Sequence, residues 1–93
     1  MQKRSIEEIN KWRSSDFYTA VIVKSVGFPL ESISKENERF VTFVFNAETN
    51  ECQDLLSKHW NGELNINSKV IIDTIKELKT RLHEVIRGSN YDA

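Results

Sequence analysis

The segment Arg39-Phe40-Val41-Thr42-Phe43-Val44-Phe45 restricts the fold of this chain more than any other. It consists almost entirely of aromatic and β-branched residues, so it predicts a β-strand. Side chains alternate along a strand, and one side of this strand carries Val41, Phe43 and Phe45. The other side carries Phe40, Thr42 and Val44. Both sides are largely apolar, so other parts of the molecule must cover them.

A second, shorter strand is predicted over Phe28–Ser34, with Pro29 at its start or on an edge, where the missing N–H does no harm. The polar turn Lys35-Glu36-Asn37-Glu38 joins it to the strand at 39–45, which gives an antiparallel hairpin. A two-stranded hairpin is marginal alone. We therefore expect helices to pack on it, or a second copy of the chain to pair with its open edge as a homodimer.

Phe17–Val26 is predicted to be a helix, although its β-branched residues at 21–23 favour a strand. Ser14-Ser15-Asp16 offers side-chain oxygens that cap the first free amides of a helix. Gly27 is a suitable stop, because glycine adopts the left-handed conformation that ends many helices.

Two further helices follow the hairpin. Glu51–Trp60 is predicted to be helical and to end at Asn61-Gly62. The last helix begins after a cap at Asn65 or Asn67, runs to about Arg87, and ends at Gly88-Ser89-Asn90. Residues on one side of it form an apolar stripe typical of a core contact: Ile71, Ile75, Leu78, Leu82, Val85 and Ile86.

The predicted fold class is therefore α+β, a small single domain of order α-β-β-α-α with an antiparallel hairpin packed by helices. We place the domain at residues 14–87, a polar N-terminal arm at 1–13, and a loose tail at 88–93. Within the arm, Ser5-Ile6-Glu7-Glu8 has the spacing of a capping box and predicts a short helical turn up to Trp12.

Composition narrows the classes of protein. The 93 residues are 39% hydrophobic and 29% charged, with a net charge of -1, so no global field attracts nucleic acid. Cys52 is the only cysteine, which excludes an internal disulfide and fits a reducing compartment. The chain contains no signal-peptide pattern and no apolar run long enough for a membrane span, so we predict a cytoplasmic protein without membrane contact.

Catalytic, cofactor-binding and metal-binding residues are not predicted. Cys52 and His59 share a face of one helix but are seven residues apart, roughly 10 Å along its axis, too far for a nucleophile–base pair. No third ligand accompanies them, and no glycine-rich phosphate loop occurs. We expect a buried thiol and a histidine at the surface or beside the helix cap instead.

Charged residues on the last helix are sorted into two flanks. One flank carries Lys69, Lys76, Lys79, His83 and Arg87, with Ile72 among them. The other carries Asp73, Glu77 and Glu84, whereas Arg81 falls outside this sorting. Two interpretations stay open: a solvated face with small local ion-pair effects, or a basic ridge that contacts phosphate or an acidic protein surface.

The peptide Trp60-Asn61-Gly62-Glu63-Leu64 is the most distinctive in the chain. In a structural interpretation, Trp60 covers the edge of the core, Asn61 or Gly62 takes the left-handed position, and Leu64 docks back. In the alternative, Trp60 is an aromatic contact for a nucleobase or a peptide.

Several of these peptides occur together in one order: Ser15-Asp16-Phe17-Tyr18-Thr19-Ala20, Gly27-Phe28, Val41-Thr42-Phe43-Val44-Phe45, Trp60-Asn61-Gly62-Glu63-Leu64 and Lys76-Glu77-Leu78-Lys79-Thr80-Arg81-Leu82. The order resembles a family of small bacterial, archaeal and phage domains of unknown function, over about Ser14 to Leu82. That family often has Asp-Pro where this chain has Asn67-Ser68-Lys69, and an aromatic residue in place of His59. The resemblance implies no activity; by analogy with other proteins of mobile elements, it implies an accessory role.

We therefore predict a non-catalytic binding or accessory module, not an enzyme, that contacts a protein partner or itself. The candidate partner-binding residues are Lys69, Lys76, Lys79, Arg87 and Trp60. The alternative is a small nucleic-acid-binding protein of a phage or mobile element that uses the basic ridge.

Overall fold

The computed structural model describes residues 11–91, with side chains described up to Arg87. In chain order the elements are β1 Lys11–Ser14, α1 Phe17–Val26, β2 Leu30–Lys35, β3 Val41–Asn46, α2 Thr49–Trp60 and α3 Ser68–Tyr91. The α+β class and the order α-β-β-α-α are confirmed. One strand, β1, precedes the predicted elements.

The sheet has three antiparallel strands in the order β1-β3-β2, so β3 is central. β2 and β3 form the predicted hairpin, with Ile33 opposite Phe43. On the other side of β3, Trp12 lies opposite Phe45. The predicted helical turn reaching Trp12 is wrong over residues 11–12, which are in a strand. The last residues of the predicted N-terminal arm therefore belong to the sheet. Pairing with a distant strand here outweighs the local helix signal of the capping box, whose own residues, Ser5 to Glu8, lie outside the described part of the chain.

Helix α1 has the predicted caps. The Asp16 carboxylate accepts a hydrogen bond from the Thr19 backbone N–H at 2.8 Å and another from the Thr19 hydroxyl at 2.7 Å. At the other end Gly27 has φ +122°, its N–H donates to the Lys24 carbonyl, and the Phe28 N–H donates to the Val23 carbonyl. This pair of bonds is a Schellman motif, so the capping residues decide the helix against the strand propensity of residues 21–23.

The core lies between one face of the sheet and the three helices. Phe43 and Phe45 are fully buried on that face, and the Trp12 ring lies 5.8 Å from the Phe45 ring. The helices and the turn before α2 contribute Ala20, Val21, Val23, Ala47, Cys52, Leu55 and Leu78. α1 contacts both α2 and α3, while α2 contacts β1 and α3 contacts β2.

The opposite face of the sheet carries mostly polar side chains. Arg13 and Ser32, which lie on either side of Val44 in the register, are exposed. Val44 is nevertheless only 8% exposed, because a central strand is flanked by neighbours on both sides. The third strand thus covers much of the apolar surface that a bare hairpin would have left open.

The predicted end of α3 at Arg87 is too early, since the helix continues through Gly88 to Tyr91. Glycine in a helix interior costs roughly 1 kcal/mol relative to alanine but does not forbid the helix. The start is as predicted: Asn67 Oδ1 accepts hydrogen bonds from the N–H groups of Lys69 at 2.8 Å and Val70 at 3.4 Å.

Candidate partner-binding surface

Helix α3 buries one stripe and leaves the rest of its circumference to solvent. Leu78 is fully buried, and Ile71, Ile75 and Leu82 pack against the same core. Ile86, which the periodicity places in this stripe, is 39% exposed. That part of the prediction is wrong, because Ile86 lies at the margin of the stripe, past the last residue of α3 that packs on the core cluster.

We define the basic face of α3 as Ile72, Lys76, Lys79, His83 and Arg87. Their spacing of three or four residues places them on one side of the helix, away from the core, and all five are exposed. Ile72 is 51% exposed among these polar residues, with Ile86 at the border of the face. The face is thus a mixture of cations and large aliphatic side chains.

Three of the predicted contact residues carry unneutralised charge on this face. Within the described residues, no carboxylate lies within 4.0 Å of Lys76, Lys79 or Arg87. Lys76 still interacts electrostatically with the Asp73 carboxylate, which is hydrogen-bonded to Lys69. The charges of Lys79 and Arg87 are screened by water and salt.

Lys69 differs from the other three. Its ammonium lies 2.7 Å from the Asp73 carboxylate one turn along α3. The hydrogen bond to Asp73 raises the pKa of Lys69, and the same bond lowers the pKa of Asp73. A local ion pair thus occupies this lysine, which makes it the weakest candidate on the ridge.

On the acidic flank of α3, Glu77 forms ion pairs both with a neighbouring helix and within α3. One carboxylate oxygen of Glu77 lies 3.5 Å from the ammonium of Lys24 on α1, and the other lies 3.7 Å from the guanidinium of Arg81. Glu77 therefore links α3 to α1, whereas the basic face makes no such link among the described residues. The two flanks are also joined to each other, through the pair between Lys69 and Asp73.

Trp60 is 73% exposed, so the interpretation in which it covers the core edge is wrong. Leu64 packs against the core in its place. Gly62 takes the left-handed position at φ +74°, and the N–H groups of Gly62 and Glu63 donate to the carbonyls of His59 and Lys58. This Schellman motif fixes the end of α2, where the Trp60 ring lies 4.8 Å from the His59 ring and otherwise faces solvent.

Trp60 and the basic face belong to different helices, which the structure does not bring together as one contact. Trp60 is the last residue of α2, over the β1 side of the sheet, whereas α3 lies over β2. A ligand bound to the basic face would need to be extended to reach Trp60 as well.

Cys52 is fully buried, and desolvation raises the pKa of its thiol to about 11. A neutral thiol at physiological pH is a poor nucleophile. No group of three or more His, Cys, Asp or Glu side chains within residues 11–87 is arranged to hold a metal ion. In the same part of the chain, no helix is long and apolar enough to cross a membrane.

A family model described as Domain of unknown function (DUF5659) matches residues 10–84. The chain belongs to this family. The matched region begins one residue before β1, so the DUF5659 domain includes the strand that sequence reasoning left in the arm. It contains Trp60, Lys69, Lys76 and Lys79, while Arg87 lies beyond it. No curated protein and no solved structure matches the chain.

Sequence reasoning placed Ile72 on the charged flank, as the structure does, but missed the exposure of Ile86. A pattern of helical period identifies which residues share a side, but the extent of the covering elements decides which of them are buried. The available signal was the length of α3, 24 residues, against the 10 residues of α1 that cover it.

Proposed function

We propose that this domain is a non-catalytic binding module of the cell interior whose basic face of α3 contacts an acidic surface of a protein partner. The observation that carries the proposal is the exposure of Ile72 among Lys76, Lys79 and Arg87. Protein interfaces combine aliphatic contacts with charge complementarity, whereas a phosphate backbone offers only the second.

The chemistry of the face specifies its partner. Lys76, Lys79 and Arg87 favour carboxylates, and Ile72 favours an apolar side chain between them. Charged groups of this kind raise the association rate and make binding sensitive to salt, while the buried aliphatic area supplies the stability of the complex. A free, buried Cys52 is compatible with a reducing compartment.

The second candidate is nucleic-acid binding by the same face, which the three unpaired cations favour. Neutralising a few phosphates gives weak affinity with a steep salt dependence. Ile72 would add nothing to such a complex, so its substitution separates the two candidates.

The test compares three variants as immobilised bait for host extract, with and without nuclease. Lys76→Glu/Lys79→Glu reverses charge on the basic face, and Ile72→Ser removes its apolar contact. Lys58→Glu/Arg39→Glu makes the same change in net charge at exposed residues outside the face. Circular dichroism and thermal unfolding verify that each variant folds.

We expect both basic-face variants to lose the same nuclease-resistant protein band, which the control variant retains. Fluorescence anisotropy with labelled single-stranded and duplex DNA is measured in parallel. If capture disappears after nuclease treatment, and the charge reversal abolishes DNA binding while Ile72→Ser leaves it intact, the face binds nucleic acid and the first candidate is wrong. If neither basic-face variant changes capture or DNA binding, both candidates fail.

A further inference from the structure

β2 is an edge strand, and the hydrogen bonds of the hairpin determine which of its backbone groups face outward. The Glu36 N–H donates to the Phe40 carbonyl at 2.9 Å, so these two residues form a hydrogen-bonded pair. Hydrogen-bonded and non-hydrogen-bonded pairs alternate along an antiparallel ladder. Ser34 with Thr42 is therefore hydrogen-bonded, whereas Ile33 and Lys35 direct their N–H and C=O groups away from β3.

A bulge limits the stretch of this edge that can pair. The register shifts between Leu30 and Ser32, so Glu31 is an extra residue in β2. Its carboxylate is held by Lys11. The regular free edge thus runs from Ser32 to the end of the strand at Lys35, and its outward groups belong to Ile33 and Lys35.

We propose that this edge pairs with β2 of a second copy of the chain, antiparallel, about a two-fold axis at Ser34. In this register Ile33 of each copy lies opposite Lys35 of the other, and both residues contribute outward groups. Two such pairs make four backbone hydrogen bonds, and none of them requires the bulge. The proposal is independent of the basic face of α3, which contains none of these residues.

Charge complementarity supports the second copy as the occupant. Ile33 borders a surface hollow of about 290 Å³ that is also lined by Arg81, Glu84 and Val85 of α3. Lys35 lies two residues along the strand from Ile33 and therefore on the same face of the sheet. In the paired register, the Lys35 side chain of one copy is directed toward the hollow beside Ile33 of the other. Glu84 provides the opposite charge there, while the cation of Arg81 is already paired with Glu77.

The usable stretch of this edge is short. Four of the six residues of β2, Ser32 to Lys35, lie beyond the bulge, which equals the length of the other edge strand, β1. The bulge and the charged Lys35 are features that protect sheet edges from unlimited pairing. A two-fold arrangement is closed, so it uses the open stretch without extending into a filament.

The first test is disulfide trapping. Ser34→Cys places one thiol in each copy at the axis, in a non-hydrogen-bonded pair with Cα atoms roughly 4.5 Å apart, a distance that suits a disulfide. Ser32→Cys is the matched control, because Ser32 is exposed on the same face of β2 but lies two residues from the axis. We expect rapid cross-linking of Ser34→Cys under mild oxidation and little of Ser32→Cys. Equal rates for the two variants would overturn the proposed register.

The second test is a charge swap measured by sedimentation equilibrium. Lys35→Glu and Glu84→Lys each place two like charges next to each other across the axis. Each should therefore raise the dimer dissociation constant by at least about tenfold. The double variant Lys35→Glu/Glu84→Lys restores the attraction and should restore the dimer. A wild-type chain that sediments as a monomer up to millimolar concentration, or a double variant no better than the single ones, would refute the proposal.

Discussion

The ammonium of Lys11 lies 2.6 Å from both carboxylate oxygens of Glu31, although these residues belong to the two edge strands of the sheet. The ion pair therefore crosses the central strand β3 on the face opposite to Phe43 and Phe45. The side chain of Lys11 is only 19% exposed, so the pair is partly shielded from water. The pair thus joins β1, which the sequence did not predict, to the predicted hairpin of β2 and β3.

This pair should contribute measurably to stability. We expect Lys11→Met and Glu31→Gln to lower the free energy of unfolding, with a coupling of about 0.5 to 1 kcal/mol in a double-mutant cycle by urea denaturation. The Lys69–Asp73 pair is the control, because both of its side chains are more than half exposed. Its coupling should be smaller, and an equal or larger coupling there would contradict the role we assign to shielding.

The sequence predicts the elements whose signals are local. The caps of α1 at Asp16 and Gly27, the hairpin, and the α3 cap at Asn67 all depend on residues within a few positions of one another. β1 has no such signal: it is four residues long, contains two cations, and pairs with a strand some thirty residues away. β1 forms because it pairs with the free edge of β3, and no local sequence pattern indicates such a distant pairing.

The candidate surface was predictable only in part for the same reason. The helical period of α3 places Lys76, Lys79 and Arg87 together, and the structure agrees. Whether Trp60 points inward depends on where the chain goes after Gly62, and whether Ile86 is buried depends on how far the covering elements extend. These are tertiary properties, and both residues prove to be exposed.

The two left-handed glycines should respond differently to substitution. A Cβ at Gly27 or Gly62 would meet no atom within 4 Å, so backbone strain alone sets the cost. Gly62 at φ +74° lies near the left-handed well, and Gly62→Ala should lower the free energy of unfolding by about 1 kcal/mol. Gly27 at φ +122° lies outside that well, so Gly27→Ala should cost more.

Gly62→Asn provides the control for that comparison. Asparagine tolerates the left-handed conformation better than alanine, so this variant should be more stable than Gly62→Ala. Thermal unfolding of the three variants gives the order directly. If Gly62→Ala were less stable than Gly27→Ala, contacts and not the φ angle would decide the cost of substitution.

Cys52 should be unreactive in the folded protein. Its side chain is fully buried, and desolvation raises the pKa of the thiol to about 11, so little thiolate exists at pH 8. We expect an aromatic disulfide reagent, which forms a mixed disulfide with a thiol and releases a coloured thiolate, to label Cys52 only as fast as the protein unfolds, with complete labelling in denaturant. The Ser32→Cys variant, reduced and then freed of reductant, should show one additional thiol that reacts at once, because this position is exposed. Rapid labelling of wild-type Cys52 would show that the core between α2 and the sheet opens without global unfolding.

The Asp16 cap should make stability depend on pH below neutrality. Hydrogen bonds from the Thr19 hydroxyl and backbone N–H lower the pKa of Asp16 from its ordinary value of 3.8. The ionised cap therefore stabilises the folded chain above that ordinary value, and its contribution is lost as the pH falls through the lowered, folded-state value. At pH 7, Asp16→Ala should lower the free energy of unfolding by about 1 kcal/mol, the usual cost of losing a cap.

The pH dependence distinguishes the charge of Asp16 from its capping geometry. Asp16→Asn keeps an oxygen acceptor for the Thr19 N–H but cannot ionise. We expect wild type to exceed Asp16→Asn most clearly at pH 6 to 7, and the gap to shrink as both are titrated below about pH 4, because the wild-type carboxylate then becomes protonated. Urea denaturation at a series of pH values measures that gap. A gap that stayed constant down to pH 2 would show that the ionised carboxylate contributes nothing beyond an acceptor oxygen.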